Sequence, residues 1–184
     1  MNKWKAGVVA AVSVLASVLT TLVIPQGITL FTFAKNLQTT KTIEMIKLAK
    51  DLSHEFFNEE EETFQNIRKT IESCKPLYKG YNRGGKFDHD QMNRYLGFFD
   101  DLGFYVQREA LDLSMVDQFF APYIIEAYET TEVRQYIKEF RENFNQRDAF
   151  RNFEELARNL EGIPARKDLI ETFRIACPQS GARN

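Results

Sequence analysis

The residues best suited to chemistry lie in a glycine-rich segment between residues 80 and 90. Gly80 to Lys86 reads GYNRGGK, which fits the G-x-x-x-x-G-K pattern of phosphate-binding loops. Such a loop needs a strand before it, a helix after it, and a Ser or Thr beside the lysine to hold Mg²⁺. Here a predicted helix precedes the glycines and Phe87 follows the lysine. We therefore interpret the segment as an interhelical loop and keep Lys86 as a candidate for binding a nucleotide or phosphate.

Three side chains that can bind metals follow at once, in the run Asp88-His89-Asp90. Residues at i and i+2 of a helix do not share a face, so one cation cannot collect all three there. Asp88 is better explained as the cap of a helix, with His89 exposed beside it. We predict no metal site, and keep Asp88 and His89 as candidates only.

Other acidic residues could be imagined as paired carboxylates for acid–base chemistry: Asp100, Asp101, Glu109 and Asp112. Adjacent residues point in different directions on a helix, so an exposed polar face explains them better. The patterns G-x-S-x-G, H-E-x-x-H and C-x-x-C are not found in the sequence. We predict no catalytic residues and no cofactor. The alternative is a membrane-surface enzyme, or a nucleotide- or phosphate-binding protein, that uses the Gly80–Asp90 loop.

The strongest feature of the chain is its opening apolar stretch, Ala6–Ala34, which has no charged residue. About 20 apolar helical residues cross a bilayer core of about 30 Å, so we predict a transmembrane anchor here. A cleaved signal peptide is the alternative, and it would leave an exported helical domain. Its apolar region usually runs about 7–15 residues before a small-x-small site, whereas here the run is longer and reaches Pro25 first.

Lysines on either side of the stretch bear on its orientation. Two of them and the amino terminus precede it, and four follow it: Lys35, Lys41, Lys47 and Lys50. Lysines near a span favour the cytoplasmic side, so we predict a cytoplasmic domain on a single-pass protein of the inner or plasma membrane. The expected partners are the lipid bilayer, through residues 6–34, and another protein. Small residues four apart, such as Gly7 and Ala11, also allow two spans to pack as a homo-oligomer.

The rest of the chain has the size and composition of one helical domain. After Ala34 it carries 22 basic and 26 acidic residues, interleaved and with a net charge of −4, which argues against a nucleic-acid partner. Its two cysteines, Cys74 and Cys177, would be free thiols in the cytoplasm or one bridge in an oxidising compartment.

Apolar and aromatic residues recur at helical spacing, and we predict an all-α domain of six or seven helices over residues 35–178. A basic flank (1–5) precedes the anchor, and a loose tail (179–184) follows the domain. Among the details, Ile46 should lie on the buried face of the first helix. Gly103 should mark either close packing or a local helix end. Pro122 should kink or split its helix.

Three further residues predict helix boundaries in the second half of the chain. Ser114, with Asp117 three residues on, resembles a capping arrangement. Asp148 should start a helix that Gly162 ends.

One segment resembles a known family. Residues Asn93–Glu139 contain a tyrosine-and-phenylalanine helix, a DLG turn at residues 101–103, and Leu111-Asp112 with Val116 leading into the next helix. This pattern is similar to an uncharacterised, largely bacterial family of small proteins with one N-terminal membrane span and a helical domain. The resemblance implies that architecture and brings no catalytic residues with it. We predict a membrane-anchored protein-interaction, tethering or regulatory module.

Overall fold

The structure is a computed structural model that describes residues 35–58, 62–81 and 84–178. These residues form seven α-helices and one 3₁₀ turn: α1 (described over 35–57), α2 (Glu62–Glu72), α3 (His89–Gln107), α4 (Leu113–Glu129), α5 (Thr131–Phe144), α6 (Arg151–Glu161), the 3₁₀ turn Pro164–Arg166, and α7 (Lys167–Ala176). Within these ranges the only paired extended backbone is an isolated parallel bridge between Tyr78 and Phe87. The all-α prediction is confirmed for this part of the chain. The predicted span (6–34) and tail (179–184) lie outside the described residues.

The chain divides into two compact units, Met1–Glu44 and Met45–Asn184, with the division inside α1. The described part of the first unit is a helical stretch in which Thr39, Thr40 and Thr42 donate hydroxyl hydrogen bonds to carbonyls four residues earlier. None of the helices in the described ranges has the length and apolar character that crossing a membrane requires.

Aromatic rings form the centre of the core. Phe56 from α1 lies between rings of α3 and α4, with centroids 5.1 Å from Phe98, 5.5 Å from Phe99 and 5.7 Å from Phe120. These separations are those of favourable aromatic pairs, each contributing about 0.5–1.5 kcal/mol beyond the area it buries. The phenylalanines of the sequence thus tie the last turns of α1 to the middle of α3 and the first half of α4.

Helices α3 and α6 touch through Gly103. A Cβ atom at this position would lie 2.3 Å from the backbone oxygen of Asn152, well inside van der Waals contact. One turn earlier, the Asp100 carboxylate accepts hydrogen bonds from the Phe153 N–H at 3.0 Å and the Asn152 amide at 3.1 Å. Because Phe150, at the N-cap of α6, supplies no side-chain bond, Asp100 caps α6 from another helix. The close-packing interpretation of Gly103 is confirmed, since α3 continues to Gln107.

The last helix is fixed by two contacts at its C-terminal end. The Arg174 guanidinium binds both oxygens of the fully buried Glu129 carboxylate at 2.8 and 2.7 Å. Immediately after α7, Cys177 forms a disulfide with Cys74, just beyond the end of α2, with Cα atoms 5.5 Å apart. This bridge links two parts of the chain that are 103 residues apart in sequence.

The buried face of α1 agrees with the predicted one at Ala49, Leu52 and Phe56 and differs at Ile46. Ile46 is 54% exposed, and Met45 is buried with the other three residues. These four residues are spaced four, three and four apart and form one continuous stripe. Ile46 lies about 100° around the helix from Met45, so it falls outside that stripe.

Three boundary predictions also require correction. Of the kink or split predicted at Pro122, the split is wrong: α4 runs unbroken to Glu129 because its buried face is packed on both sides of the proline. The N-cap of α4 is Asp112, and Ser114 lies inside the helix. Helix α6 begins at Arg151 rather than Asp148, after Phe150 adopts a left-handed conformation (φ 58°). The predicted end at Gly162 is confirmed.

Candidate functional site

The three candidate residues of the 80–90 segment lie in three separate environments. Lys86 lines a hollow of about 330 Å³ beside the end of α2, Asp88 caps α3, and His89 joins a cluster of aromatic rings. They do not converge on a common point, so the structure does not assemble them into one catalytic or metal-binding site. Among the described residues, no group of three or more His, Cys, Asp or Glu side chains is arranged to hold a metal ion.

The hollow beside α2 brings three lysines together. Lys69 comes from the last turn of α2, Lys75 from the segment after it, and Lys86 from the residue before the bridge at Phe87. All three side chains are exposed, whereas Phe87 is buried (5% exposed) and supplies an apolar part of the lining. We call this feature the lysine groove. The sequence pattern indicates only Lys86. Lys69 and Lys75 belong to no motif, and only the fold places them beside it.

Asp88 has a structural role. Its carboxylate accepts a hydrogen bond from the Gln91 N–H at 3.0 Å, and the Gln91 side chain accepts one from the Asp88 N–H at 3.0 Å. This reciprocal pair is a capping box, and it satisfies two backbone donors at the start of α3. The prediction that Asp88 caps a helix is confirmed.

His89 packs among aromatic side chains of α5. Its ring lies nearly parallel to Phe140 with centroids 5.5 Å apart, and 5.2 Å from Phe144, which is 53% exposed. The Tyr136 hydroxyl lies 3.1 Å from both the His89 Nδ1 atom and the His89 carbonyl oxygen. Burial raises the pKa of Tyr136, so its hydroxyl stays protonated and is a permanent donor here. These contacts hold the first turn of α3 against α5.

A carboxyl group that the sequence did not single out has a strongly perturbed acidity. The pKa of Glu126 in α4 is raised to about 7, chiefly by burial and also by the Glu72 charge, while Arg68 opposes both. The Arg68 guanidinium lies over the Tyr123 ring at 5.0 Å, and its Nε is 3.3 Å from a Glu72 oxygen. Glu126, which lies between α2 and α4, therefore gains or loses its proton near neutral pH. It does not line the lysine groove.

The only indication of Glu126 in the sequence is its position within an apolar run. Glu126 follows Ile124 and Ile125 and precedes Ala127, all of them fully buried. A single acid within such a run is forced close to the core. Its acidity, however, depends on Glu72 and Arg68, which only the fold brings near.

Comparisons with known proteins give a family and no activity. The chain matches no curated protein and no solved structure. A family model described as a domain of unknown function, DUF4760, matches residues 8–160, more than four-fifths of the sequence. The matched residues begin inside the predicted span and reach the last turn of α6, and α7 with Cys177 follows them. This protein belongs to the DUF4760 family, whose function is unknown.

Proposed function

We propose that this protein is a single-pass membrane protein, bacterial as the family resemblance implies, whose helical domain is a protein-interaction, tethering or regulatory module. The observation that carries the proposal is the uncharged stretch Ala6–Ala34 directly before a folded helical domain. Twenty-nine residues without a charge are long enough to cross a bilayer even when tilted. The anchor would hold the domain at the membrane surface, where its partner is met.

The polar groups of the domain support binding rather than a reaction. Asp88 and Asp100 cap helices, and Glu129 is paired with Arg174. The Glu132 carboxylate accepts hydrogen bonds from two backbone N–H groups of the 75–87 loop, at 2.9 and 3.0 Å. Each of these acids stabilises the fold through a specific contact. A rigid framework of this kind presents a fixed surface to a partner.

The anchor is tested by fractionation. Membranes from cells making the full chain are washed with alkaline carbonate, and the amino terminus of the retained protein is sequenced. We expect the protein in the pellet with its original amino terminus. A double variant, Leu15→Arg with Leu19→Arg, should move into the wash, because each central arginine costs about 2.5–3.5 kcal/mol on insertion. Recovery of the natural chain in the wash, cut beyond Pro25, would overturn the anchor.

The binding role is tested with a matched pair of variants. Tagged full-length protein is crosslinked in cells and purified in mild detergent beside Gly97→Arg and Gly103→Arg. Both variants keep the anchor and the tag, but only Gly103→Arg forces a large side chain against the Asn152 backbone and so disrupts the domain. A partner of the domain should co-purify with the natural chain and Gly97→Arg and be depleted from Gly103→Arg. Identical protein sets from all three would refute a domain-dependent interaction.

A second candidate, an exported domain on the oxidising side of the membrane, is favoured by the Cys74–Cys177 disulfide. The lysine distribution points to the cytoplasm, but its bias amounts to about one charge. A bridge is rare in the cytoplasm, where thiols are kept reduced. We give the disulfide more weight, and it supports a domain outside the cytoplasm whether or not the anchor is cut.

Thiol labelling separates the two sides. Intact cells are treated with a membrane-impermeant maleimide, then lysed and denatured, with and without a reductant. On the oxidising side, neither Cys74 nor Cys177 should react until the reductant is added. In the cytoplasm, both should react on lysis and denaturation without any reductant, which would exclude the exported domain. The carbonate wash then distinguishes an anchored exported domain from a cleaved one.

A further inference from the structure

We propose that the lysine groove is a binding site for a phosphate group. This goes beyond the module proposed above and does not depend on it. The groove is lined by Lys69, Lys75 and Lys86, together with Ser73 and Phe87. Three positive charges around one concavity of about 330 Å³ provide a site of the size that small ligands occupy.

In the described part of the chain, no carboxylate forms an ion pair with any of the three ammonium groups. Arginines elsewhere in the domain do form such pairs. Like charges gathered without counter-charges repel one another, and the repulsion disappears when an anion binds among them. A doubly charged phosphate monoester is suited to such a site.

The end of α2 does not itself need these lysines. Cations often lie at a helix C-terminus because they bind its free carbonyls and interact with its dipole. Here the backbone already bonds those carbonyls: the N–H groups of Ser73, Cys74 and Lys75 donate to the carbonyls of Lys69, Ile71 and Thr70 at 2.9–3.1 Å. Cys74 adopts a left-handed conformation (φ 52°) that makes this closure possible. The ammonium groups are left for a ligand.

The far wall of the groove is fixed before any ligand arrives. The Lys86 and Phe87 N–H groups both donate hydrogen bonds to the Leu77 carbonyl oxygen. The Lys79 N–H donates one to the Phe87 carbonyl oxygen, and all three distances are 3.0 Å. Gly85 permits this crossing, since a Cβ there would lie 2.3 Å from the Tyr78 carbonyl oxygen. Glu132 anchors the same loop from α5, and the disulfide anchors it at Cys74. A wall held at several points loses little entropy on binding.

The donors available define the class of ligand. Ser73 and Thr70 direct their hydroxyl protons to carbonyls of α2, and the Asn66 amide donates to Glu62. Recognition therefore rests on the lysines, which bind phosphate as point charges without a preferred orientation. Buried Phe87 adds a small apolar surface for the group that carries the phosphate. A soluble phosphate monoester and the headgroup of an anionic lipid share this chemistry.

Amine footprinting tests the site on the whole protein. The full chain in phosphatidylcholine nanodiscs is acetylated with and without inorganic phosphate at constant ionic strength, and each lysine is quantified by mass spectrometry. We expect protection of Lys69, Lys75 and Lys86, with exposed Lys138 and Lys167 unchanged. The proposal is overturned if all five lysines are protected equally, or if none is protected, both with inorganic phosphate and with the anionic lipid described below.

A charge reversal makes the test quantitative. Lys86→Glu should weaken phosphate binding about tenfold or more, since one favourable charge pair becomes a repulsive one. Lys79→Glu is the matched control: it makes the same change in the same loop at an exposed residue outside the groove, and binding should stay within about twofold. Both variants should unfold at the temperature of the natural chain. Equal losses in the two variants would refute a local site.

A lipid arm identifies the source of the phosphate. Footprinting is repeated in nanodiscs of phosphatidylcholine containing phosphatidic acid, without added phosphate. Protection of Lys69, Lys75 and Lys86 only in this arm supports a lipid headgroup. Protection only by inorganic phosphate supports a soluble ligand, and protection in both supports a site open to either. None of these readouts depends on a protein partner.

Discussion

The close approach of α3 and α6 predicts opposite effects for one substitution at two positions of α3. Gly97 and Gly103 are both in the body of the helix, and alanine has the higher helix propensity by about 1 kcal/mol at either one. A Cβ at Gly97 meets nothing within 4 Å, whereas one at Gly103 lies 2.3 Å from the Asn152 backbone oxygen. Gly97→Ala should therefore stabilise the domain, and Gly103→Ala should destabilise it.

The size of the loss at Gly103 follows from the movement required. The obstacle is backbone, so α6 must withdraw by about 1 Å, and overpacking of this kind costs about 1–3 kcal/mol. The withdrawal also stretches the two hydrogen bonds that Asp100 makes to α6, a cap that contributes about 1 kcal/mol. After the gain in helix propensity, we expect a net loss of about 2 kcal/mol, or about 4–8 °C in Tm.

The assay is thermal and urea unfolding of the full chain in detergent, followed by far-UV circular dichroism. Gly97→Ala should raise the midpoint by about 2–4 °C, which controls for the propensity term. The combination Gly97→Ala with Gly103→Ala should be additive, because the two sites share no contact. An unchanged or higher midpoint for Gly103→Ala would show that the helices do not meet at this glycine.

Three further predictions concern charge and covalent structure. Because burial raises the pKa of Glu126 to about 7, its carboxyl binds a proton more tightly in the native than in the unfolded protein. The free energy of unfolding should therefore fall by about 1–2 kcal/mol as pH rises from about 5 to 8. Glu126→Gln should flatten that dependence in urea titrations. Reduction of the Cys74–Cys177 bridge, which closes a loop of about 100 residues, should cost about 3–5 kcal/mol and lower the urea midpoint, while the double serine variant should not respond to the reductant. Asp100→Ala should destabilise the domain by about 1 kcal/mol in the same urea titration, through loss of the cap on α6. Asp101→Ala, at the exposed neighbouring position, should not, and equal effects would argue against the cap.

Local signals in the sequence were sufficient where one helix turn decides the outcome. The cap at Asp88 and the helix end at Gly162 depend on residues within four positions of each other, and both were predicted. The start of α6 was not, because its cap comes from Asp100, about 50 residues earlier in the chain. Rules for helix starts consider only neighbouring residues, so they favour Asp148, the nearest acidic residue, and not a carboxylate on another helix.

The candidate site shows the same division. Lys86 was visible as part of a glycine-rich motif, but the groove that it lines also needs Lys69 and Lys75, which belong to no motif. Their approach depends on the left-handed turn at Cys74 and on the crossing of the loop at Gly85. Likewise, the apolar run around Glu126 indicates burial, but nothing local indicates that Glu72 and Arg68 lie near it.

The sequence alone determined that the described residues fold as an all-α domain, since helical periodicity and caps are properties of neighbouring residues. It also carries the uncharged stretch on which the predicted anchor rests. Only the tertiary structure decided which charges meet, that Cys74 pairs with Cys177, and that three lysines surround one groove. Those outcomes depend on distances between residues far apart in the chain, and such distances are set by how the helices pack.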